Sequence, residues 1–321
     1  MNNIAILMAT YNGAAYIKKQ INSFIDQTYE NWDLYISDDG SKDNTLSLLA
    51  EYNDARIRPV IQHESDHGAF TNFYGLLRFA KEELLVHYDY FFLSDQDDIW
   101  DKEKIEKYIQ IFEKENNKNL PILVYSDLRI IDEDDICSSK MSDLYNIKLD
   151  KPVDVFFNPI YVWGNTIAFN KRMLEMLTLP SVLDNHFSHD QYLAYNAAAF
   201  GKVEYVDEPL TLYRRFNNNV SDLGGLYGKA GALKRLLTKF SEVRKGHEDI
   251  YNNVVKFIET APIETEMLDD IKRAYLRGGL SALRVIHNYK PVMGISFYNK
   301  AANFVILLFK LYKISMDEVE K

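Results

Sequence analysis

Residues 90–100 read Tyr-Phe-Phe-Leu-Ser-Asp-Gln-Asp-Asp-Ile-Trp: a short apolar run that stops at a polar and acidic cluster. A brief apolar, aromatic run bounded by turn-forming residues reads as a buried strand. Working outward, the same form recurs. Ile4–Met8 ends at Thr10-Tyr11-Asn12-Gly13, and Leu34–Ser37 ends at Asp38-Asp39-Gly40-Ser41. Helical spacing lies between these runs. Ile17, Ile21, Phe24 and Ile25 mark a helix over Ala14–Gln27, and Leu46, Leu48 and Leu49 mark a second. Phe70–Lys81 and Lys102–Glu115 give two more, with further strands at Ile57–Ile61 and Ile122–Tyr125. Strands alternating with helices predict right-handed crossovers. The expected fold is α/β, with a mostly parallel central sheet covered by helices on both faces.

Beyond residue 150 the pattern changes. Tyr161–Phe169 and Val203–Arg214 read as strands around a helix at His189–Phe200. From Leu226 onward the periodicity is almost only helical. This predicts two domains, 1–222 and a helical region 223–321. Charge divides the same way: residues 1–209 carry 19 basic and 35 acidic residues, and residues 210–321 carry 18 and 12. An acidic body argues against general nucleic-acid binding, which depends on neutralising phosphates. The single Cys137 excludes an internal disulfide framework and fits a reducing compartment. The start, MNNIAILMATYNG, lacks a basic segment followed by a long apolar stretch, so a cytoplasmic location is expected. Ala301–Phe309 is apolar between Lys300 and Lys310 but far short of the roughly 20 residues needed to span a bilayer. It fits a helix packed on the body or an amphipathic helix on a membrane surface.

The chemistry follows from the strand ends. In an open parallel sheet, ligands bind beyond the carboxyl ends of the strands. In an extended segment alternate residues share a side, so Asp95 and Asp97 face a common point. Two nearby carboxylates repel unless a cation or proton sits between them. Hard oxygen ligands suit Mg2+ or Mn2+, which bridge to phosphates. The pair therefore predicts a divalent ion holding a diphosphate. A carboxylate at Asp38-Asp39 can accept from the N3 imide of uracil or thymine, with Thr10 and Tyr11 flanking the ring. An ordinary turn with a helix N-cap explains the same residues.

As an ordered set, MATYNG, DDGS and SDQDDIW resemble the family 2 glycosyltransferases, which have the GT-A (Rossmann-like) fold. The later SHDQYL and YRRFNNNVS make the chain most similar to the bacterial rhamnosyltransferase-type branch, whose members build surface polysaccharides. The resemblance implies that Thr10, Tyr11, Asn12 and Asp39 hold the nucleoside, with Asp38 close by. It implies that His67, Gly68 and Asn72 line the nucleotide sugar, and that Asp95 and Asp97 form the metal motif. Asp190 is then the general base of an inverting transfer, and Trp100, Trp163, Gly164 and Asn165 border the acceptor. The family commonly carries a histidine where this chain has Phe216, which leaves no third protein ligand there; Arg214 or Arg215 can face the diphosphate instead. The implied donor is dTDP-rhamnose, with a UDP-hexose or UDP-N-acetylhexosamine as the alternative. The implied acceptor is a glycan or lipid-linked glycan, reached through possible membrane contact of the C-terminal helices. A non-catalytic nucleotide-sugar-binding module is the competing class. A nucleotidyltransferase fits less well, because Thr10-Tyr11-Asn12-Gly13 offers neither several glycines nor an arginine.

Overall fold

The structure is a computed structural model that describes residues 2–62, 68–115, 119–145, 147–149, 151–158, 162–179, 187–215, 232–293 and 297–315. It separates into two compact units, Met1–Lys148 with Tyr161–Phe216, and Leu149–Ile160 with Asn217–Lys321.

In the first unit, β1 (Ile4–Thr10) is buried along its whole length, as a central strand covered on both faces must be. It is followed by α1 (Ile17–Ile25), β2 (Trp32–Asp38), α2 (Thr45–Leu49), β3 (Ile61–Gln62), α3 (Ala69–Phe79) and β4 (Tyr90–Ser94). Ile4–Met8 pairs in parallel with Tyr90–Ser94 on one side, and Ile4–Thr10 with Trp32–Asp38 on the other. The carboxyl ends of β1, β2 and β4 are thus level, and three polar clusters meet at one edge. The strand expected over Ile57–Ile61 is cut short. Arg58 N donates to Leu34 O at 2.9 Å, but Pro59 has no N–H to continue the ladder, and pairing resumes only at Ile61.

The second half of the sheet is mixed. After β5 (Ile99–Trp100) and α4 (Lys104–Glu115) come β6 (Ile122–Ile131), β7 (Cys137–Lys140) and α5 (Met141–Leu144). The strand order is β3-β2-β1-β4-β8-β6-β9-β5, with β7 on β6. Here β8 is Ala168–Asn170, followed by α7 (Lys171–Met176), α8 (His189–Phe200) and β9 (Lys202–Arg214). β8 runs antiparallel between β4 and β6, while β6 and β9 are parallel. The strand expected over Tyr161–Phe169 is shorter, because Gly164–Thr166 forms a 3-10 turn first. Antiparallel pairing of β5 with β9 brings Trp100 opposite Thr211, which ties the acidic loop to the last strand.

The second unit contains α6 (Asp154–Phe157), α9 (Ala232–Thr260), α10 (Glu266–Arg277), α11 (Gly279–Tyr289) and α12 (Phe297–Leu308). Its core is a tyrosine stack: the rings of Tyr251 and Tyr275 are 4.2 Å apart and Tyr312 meets Tyr251 edge-on at 4.7 Å. Two of the three hydroxyls are satisfied within the unit, and the buried Tyr251 hydroxyl has no partner among the described residues. Tyr275 donates to Phe156 O at 2.6 Å and Tyr312 to Tyr275 O at 2.8 Å. The segment before residue 160 belongs here because Asp154 accepts from Val292 N at 2.7 Å.

Candidate functional site

At the β1 and β2 ends, Asp38 is fully employed by the chain. It accepts from Thr10 Oγ1 (2.8 Å), Gly40 N (3.1 Å), Ser41 N (2.9 Å) and Ser41 Oγ (2.6 Å). It is a turn-holding residue. Asp39 accepts from Gly68 N at 2.8 Å, linking the β2 end to the start of α3. Asn72 reaches back from α3 to Ser37 O at 3.0 Å, and its buried Oδ1 has no partner among the described residues. Asn12 adopts a left-handed conformation, φ 50°, and its Oδ1 accepts from Lys42 N at 2.8 Å. Tyr11 is exposed beside them. The structure therefore brings Thr10, Tyr11, Asn12, Asp39, Gly68 and Asn72 together, while His67 lies outside the described residues.

The acidic loop after β4 is fastened from three sides. Gln96 accepts from Tyr11 N at 2.9 Å and donates to Tyr11 O at 2.8 Å, so one side-chain amide joins the acidic loop to the ring-bearing loop. Asp98 is buried, accepting from Asn165 Nδ2 at 2.5 Å and from Arg214 N at 3.1 Å. Below lies a buried lysine, Lys104, whose Nζ donates to Asn165 O (2.7 Å) and Thr211 Oγ1 (3.0 Å) and sits 3.8 Å from the Trp100 ring centre.

Burial, together with the neighbouring carboxylates, pushes Asp95 well above the usual carboxylate range; Asp98, Asp97 and Asp190 all add to it. Burial raises Asp97 as well, and Asp98 to about 7. Burial also drives Lys104 well below the ordinary lysine value, against the pull of Asp98 and Asp95. Asp95 and Asp97 thus form a site of negative charge that disfavours its own ionisation, the setting in which a cation binds. Among the described residues no group of three or more His, Cys, Asp or Glu forms a metal cage. The donor set fits a divalent ion only as two carboxylates completed by ligand oxygens or water.

Asp190 faces this loop from the first turn of α8, a position a carboxylate favours at the positive end of a helix. Its Oδ1 accepts from Ser188 Oγ and from Gln191 N (2.7 Å), while Oδ2 makes no hydrogen bond among the described residues. Its neighbour His189 is buried and stacked on Phe73 at 3.9 Å, with neither ring nitrogen hydrogen-bonded among the described residues. A Cβ at Gly164 would lie 2.4 Å from His189 Nε2, so glycine there is the space the imidazole occupies.

Four residues expected at the site are placed in the chain's own packing. Arg214 does not point at a diphosphate. Its side chain is fully buried, with Nε donating to Asp97 O at 3.0 Å, Nη1 to Asp132 O at 2.6 Å, and Nη2 paired with Asp135. It locks the acidic loop to the β6–β7 turn. Trp100, expected at the acceptor, is a core side chain 4.7 Å from the Phe24 ring. Asn165 is buried under the loop as the donor to Asp98. Trp163 packs against the Leu128, Ile130, Met141 and Ile147 cluster. Phe216 lies outside the described residues. The residues missed in the sequence are Gln96, Asp98 and Lys104. Lys104 carries the one available signal: it lies four residues before Tyr108 on the apolar stripe of α4.

The polar ends of β1 and β2, the acidic loop after β4 and the carboxylate at the start of α8 lie on one α/β sheet, and the fold is that of GT-A glycosyltransferases. Residues 5–125 match the glycosyl transferase family 2 model. The chain is 29% identical over 224 residues to a dTDP-rhamnosyl transferase of Shigella flexneri, covering 66% of this chain and 72% of that protein. It is 33% identical over 183 residues to the UDP-Glc:alpha-D-GlcNAc-diphosphoundecaprenol beta-1,3-glucosyltransferase of Escherichia coli, covering 56% of this chain and 64% of that protein. The fold is similar to S. aureus TarS in complex with UDP-GlcNAc (TM-score 0.56, 14% identity, 96% of this chain and 80% of that one). It is also similar to a mannosyltransferase from Pyrobaculum calidifontis in complex with GDP-Man and Mn2+ (0.55, 16%, 97% and 81%).

Proposed function

We propose that the protein transfers a single sugar from a nucleoside diphosphate donor to a glycan or lipid-linked acceptor, with inversion. The observation that carries this is the convergence of Asp95, Asp97 and Asp190, contributed by the end of β4 and the start of α8. Tyr11 and Asp39 hold the base of the nucleotide, beside Thr10, Asn12, Gly68 and Asn72. Asp97, with Asp95, would hold Mn2+ or Mg2+, which supplies charge neutralisation for the departing diphosphate. Asp190 takes the acceptor hydroxyl's proton on Oδ2, while Ser188 and the Gln191 N–H fix the carboxylate through Oδ1. One base on the face opposite the leaving group gives single displacement.

Similarity to the Shigella flexneri enzyme supports dTDP-rhamnose as donor, and similarity to the Escherichia coli enzyme supports a UDP-hexose donor and a lipid diphosphate acceptor. Thermal-shift titration with dTDP and UDP, with and without Mn2+, separates the donors: a Mn2+-dependent shift with dTDP alone supports rhamnosyl transfer, and one with UDP supports the hexose. Asp97→Ala removes the Mn2+-dependent part of the shift. Asp190→Asn keeps the shift and loses transfer. Turnover by Asp190→Asn at the wild-type rate overturns the base assignment.

A further inference from the structure

The C-terminal unit has a surface that the chemistry above does not use. Between Asp270 and Asp317 the chain has no Asp or Glu in 46 residues, against eight Lys or Arg. Large apolar side chains are exposed in the same stretch. Of the ten exposed among the described residues, five lie here: Leu280, Leu283, Phe304, Phe309 and Leu311. Leu280 is 85% exposed and Phe309 66%.

The fold brings these residues to one end. Gly278 (φ 62°) and Gly279 (φ 53°) turn the chain sharply from α10 into α11. A Cβ on Gly278 would meet Leu307 O at 3.0 Å, Leu308 O at 3.1 Å and Lys310 Cβ at 3.2 Å, so the start of α11 abuts the end of α12. Lys310 itself is left-handed (φ 50°), which ends α12 and turns out Phe309 and Leu311. Leu280 and Phe309 therefore project from adjacent turns. Leu283 lies three residues after Leu280 on α11, on the same helix face.

The rim is cationic. Arg273 and Arg284 are engaged by Asp269, Asp270 and Glu266, and Lys272 by Glu259. Arg277, Lys300, Lys310 and Lys313 have no ion-pair partner among the described residues. Exposed apolar side chains bordered by Arg277, Lys310 and Lys313, with Glu248 accepting from Lys313 N at 3.1 Å as the acidic neighbour, match an anionic bilayer surface, where aromatic and aliphatic side chains enter the acyl boundary and lysines meet headgroup phosphates. No helix among the described residues is long and apolar enough to cross a membrane, so the contact is with one leaflet surface.

We infer that the Leu280–Phe309–Leu311 tip, with Arg277, Lys310 and Lys313, docks the protein on an anionic lipid surface. Docking deepens the reading of a lipid-linked acceptor and rests on that reading for its use in transfer. The binding event itself is measured without transfer.

The test is co-sedimentation of the full chain with vesicles of phosphatidylcholine alone and with phosphatidylglycerol added. Wild type should pellet only with the anionic vesicles and be released by salt. Lys310→Gln/Lys313→Gln should lower partitioning by roughly 25-fold, at about fivefold per cation near the surface. Leu280→Ser/Phe309→Ser changes only exposed side chains and should lower it by at least as much. Nucleotide-dependent thermal shifts on the same samples verify that each variant is folded and separate a failed donor site from a failed docking surface. The inference is overturned if wild type stays in the supernatant with anionic vesicles. It is equally overturned if the Leu280→Ser/Phe309→Ser variant pellets like wild type. Self-association abolished by the same substitutions, without vesicle binding, would assign the tip to a second copy and also overturn it.

Discussion

Gly13 and Gln96 provide the most demanding test of how the site is assembled. A Cβ placed on Gly13 would lie 2.1 Å from Gln96 Oε1 and 2.6 Å from its Cδ. Real atoms do not approach so closely, so Gly13→Ala must expel the Gln96 amide. That breaks both bonds to Tyr11, at 2.9 and 2.8 Å. At about 1 kcal/mol net for each, Gly13→Ala should cost about 2 kcal/mol of stability. Gln96→Ala breaks the same two bonds and should cost a similar amount. The two substitutions should not add. With Gln96 already truncated, Ala at 13 meets empty space, and replacing Gly outside the left-handed region reduces the entropy of the unfolded chain. Gly13→Ala in the Gln96→Ala background should therefore be neutral or slightly stabilising, giving a coupling energy of about 2 kcal/mol. Denaturant unfolding of the four proteins measures it. The affinity for the nucleoside diphosphate should follow the same cycle, since Tyr11 is the exposed ring the clamp positions. Equal costs of Gly13→Ala in both backgrounds would refute the clamp.

Two further outcomes follow from the buried groups. Asp98 sits near 7 in the fold against about 3.9 when unfolded. A carboxyl raised in the folded state stabilises most below the unfolded value, and that contribution is lost as pH rises through the folded one. Metal-free wild type should thus lose on the order of 3 kcal/mol relative to Asp98→Asn between pH 4 and pH 7. His189 and His247, held neutral by burial, act in the opposite sense but equally in both proteins. Melting temperatures of the pair across this range check it, and a pH-independent difference refutes it. Gly164→Ala forces His189 off its stack on Phe73 and should cost about 1–3 kcal/mol by overpacking. Because Asp190 follows His189, turnover should fall while the nucleotide-induced thermal shift is retained. Wild-type stability in this variant would show that the imidazole has room to move.

The strands that carry the candidate site were legible because each has a local signal: an apolar run and a polar stop. Ile4–Thr10, Trp32–Asp38 and Tyr90–Ser94 lie where periodicity places them, and parallel pairing at level register follows from the helices between them. The second half of the sheet was less legible, since β8 is three residues long and antiparallel, and so short a strand has no periodicity to read. Side-chain roles were harder still. A polar residue near a ligand-binding edge can face the ligand or hold the edge together, and composition does not distinguish the two. Arg214 shows why. Its guanidinium suits a diphosphate, yet three carbonyl and carboxylate acceptors from the chain already surround it, from Asp97, Asp132 and Asp135. Two of these acceptors lie about 80 residues earlier and the third about 117, so no window of sequence contains the group. The same holds for Asp98, whose donors come from Asn165 and Arg214. Asp98, Arg214 and Gln96 all bond to the chain around the acidic loop. Loss of function on changing Asp98, Arg214 or Gln96 would therefore report the geometry of the Asp95–Asp97 loop and not contact with substrate. A donor-binding measurement with Mn2+ omitted separates the two: a loosened loop lowers Mn2+-dependent binding and leaves the metal-independent part that Tyr11 and Asp39 supply, except for Gln96, which loosens both.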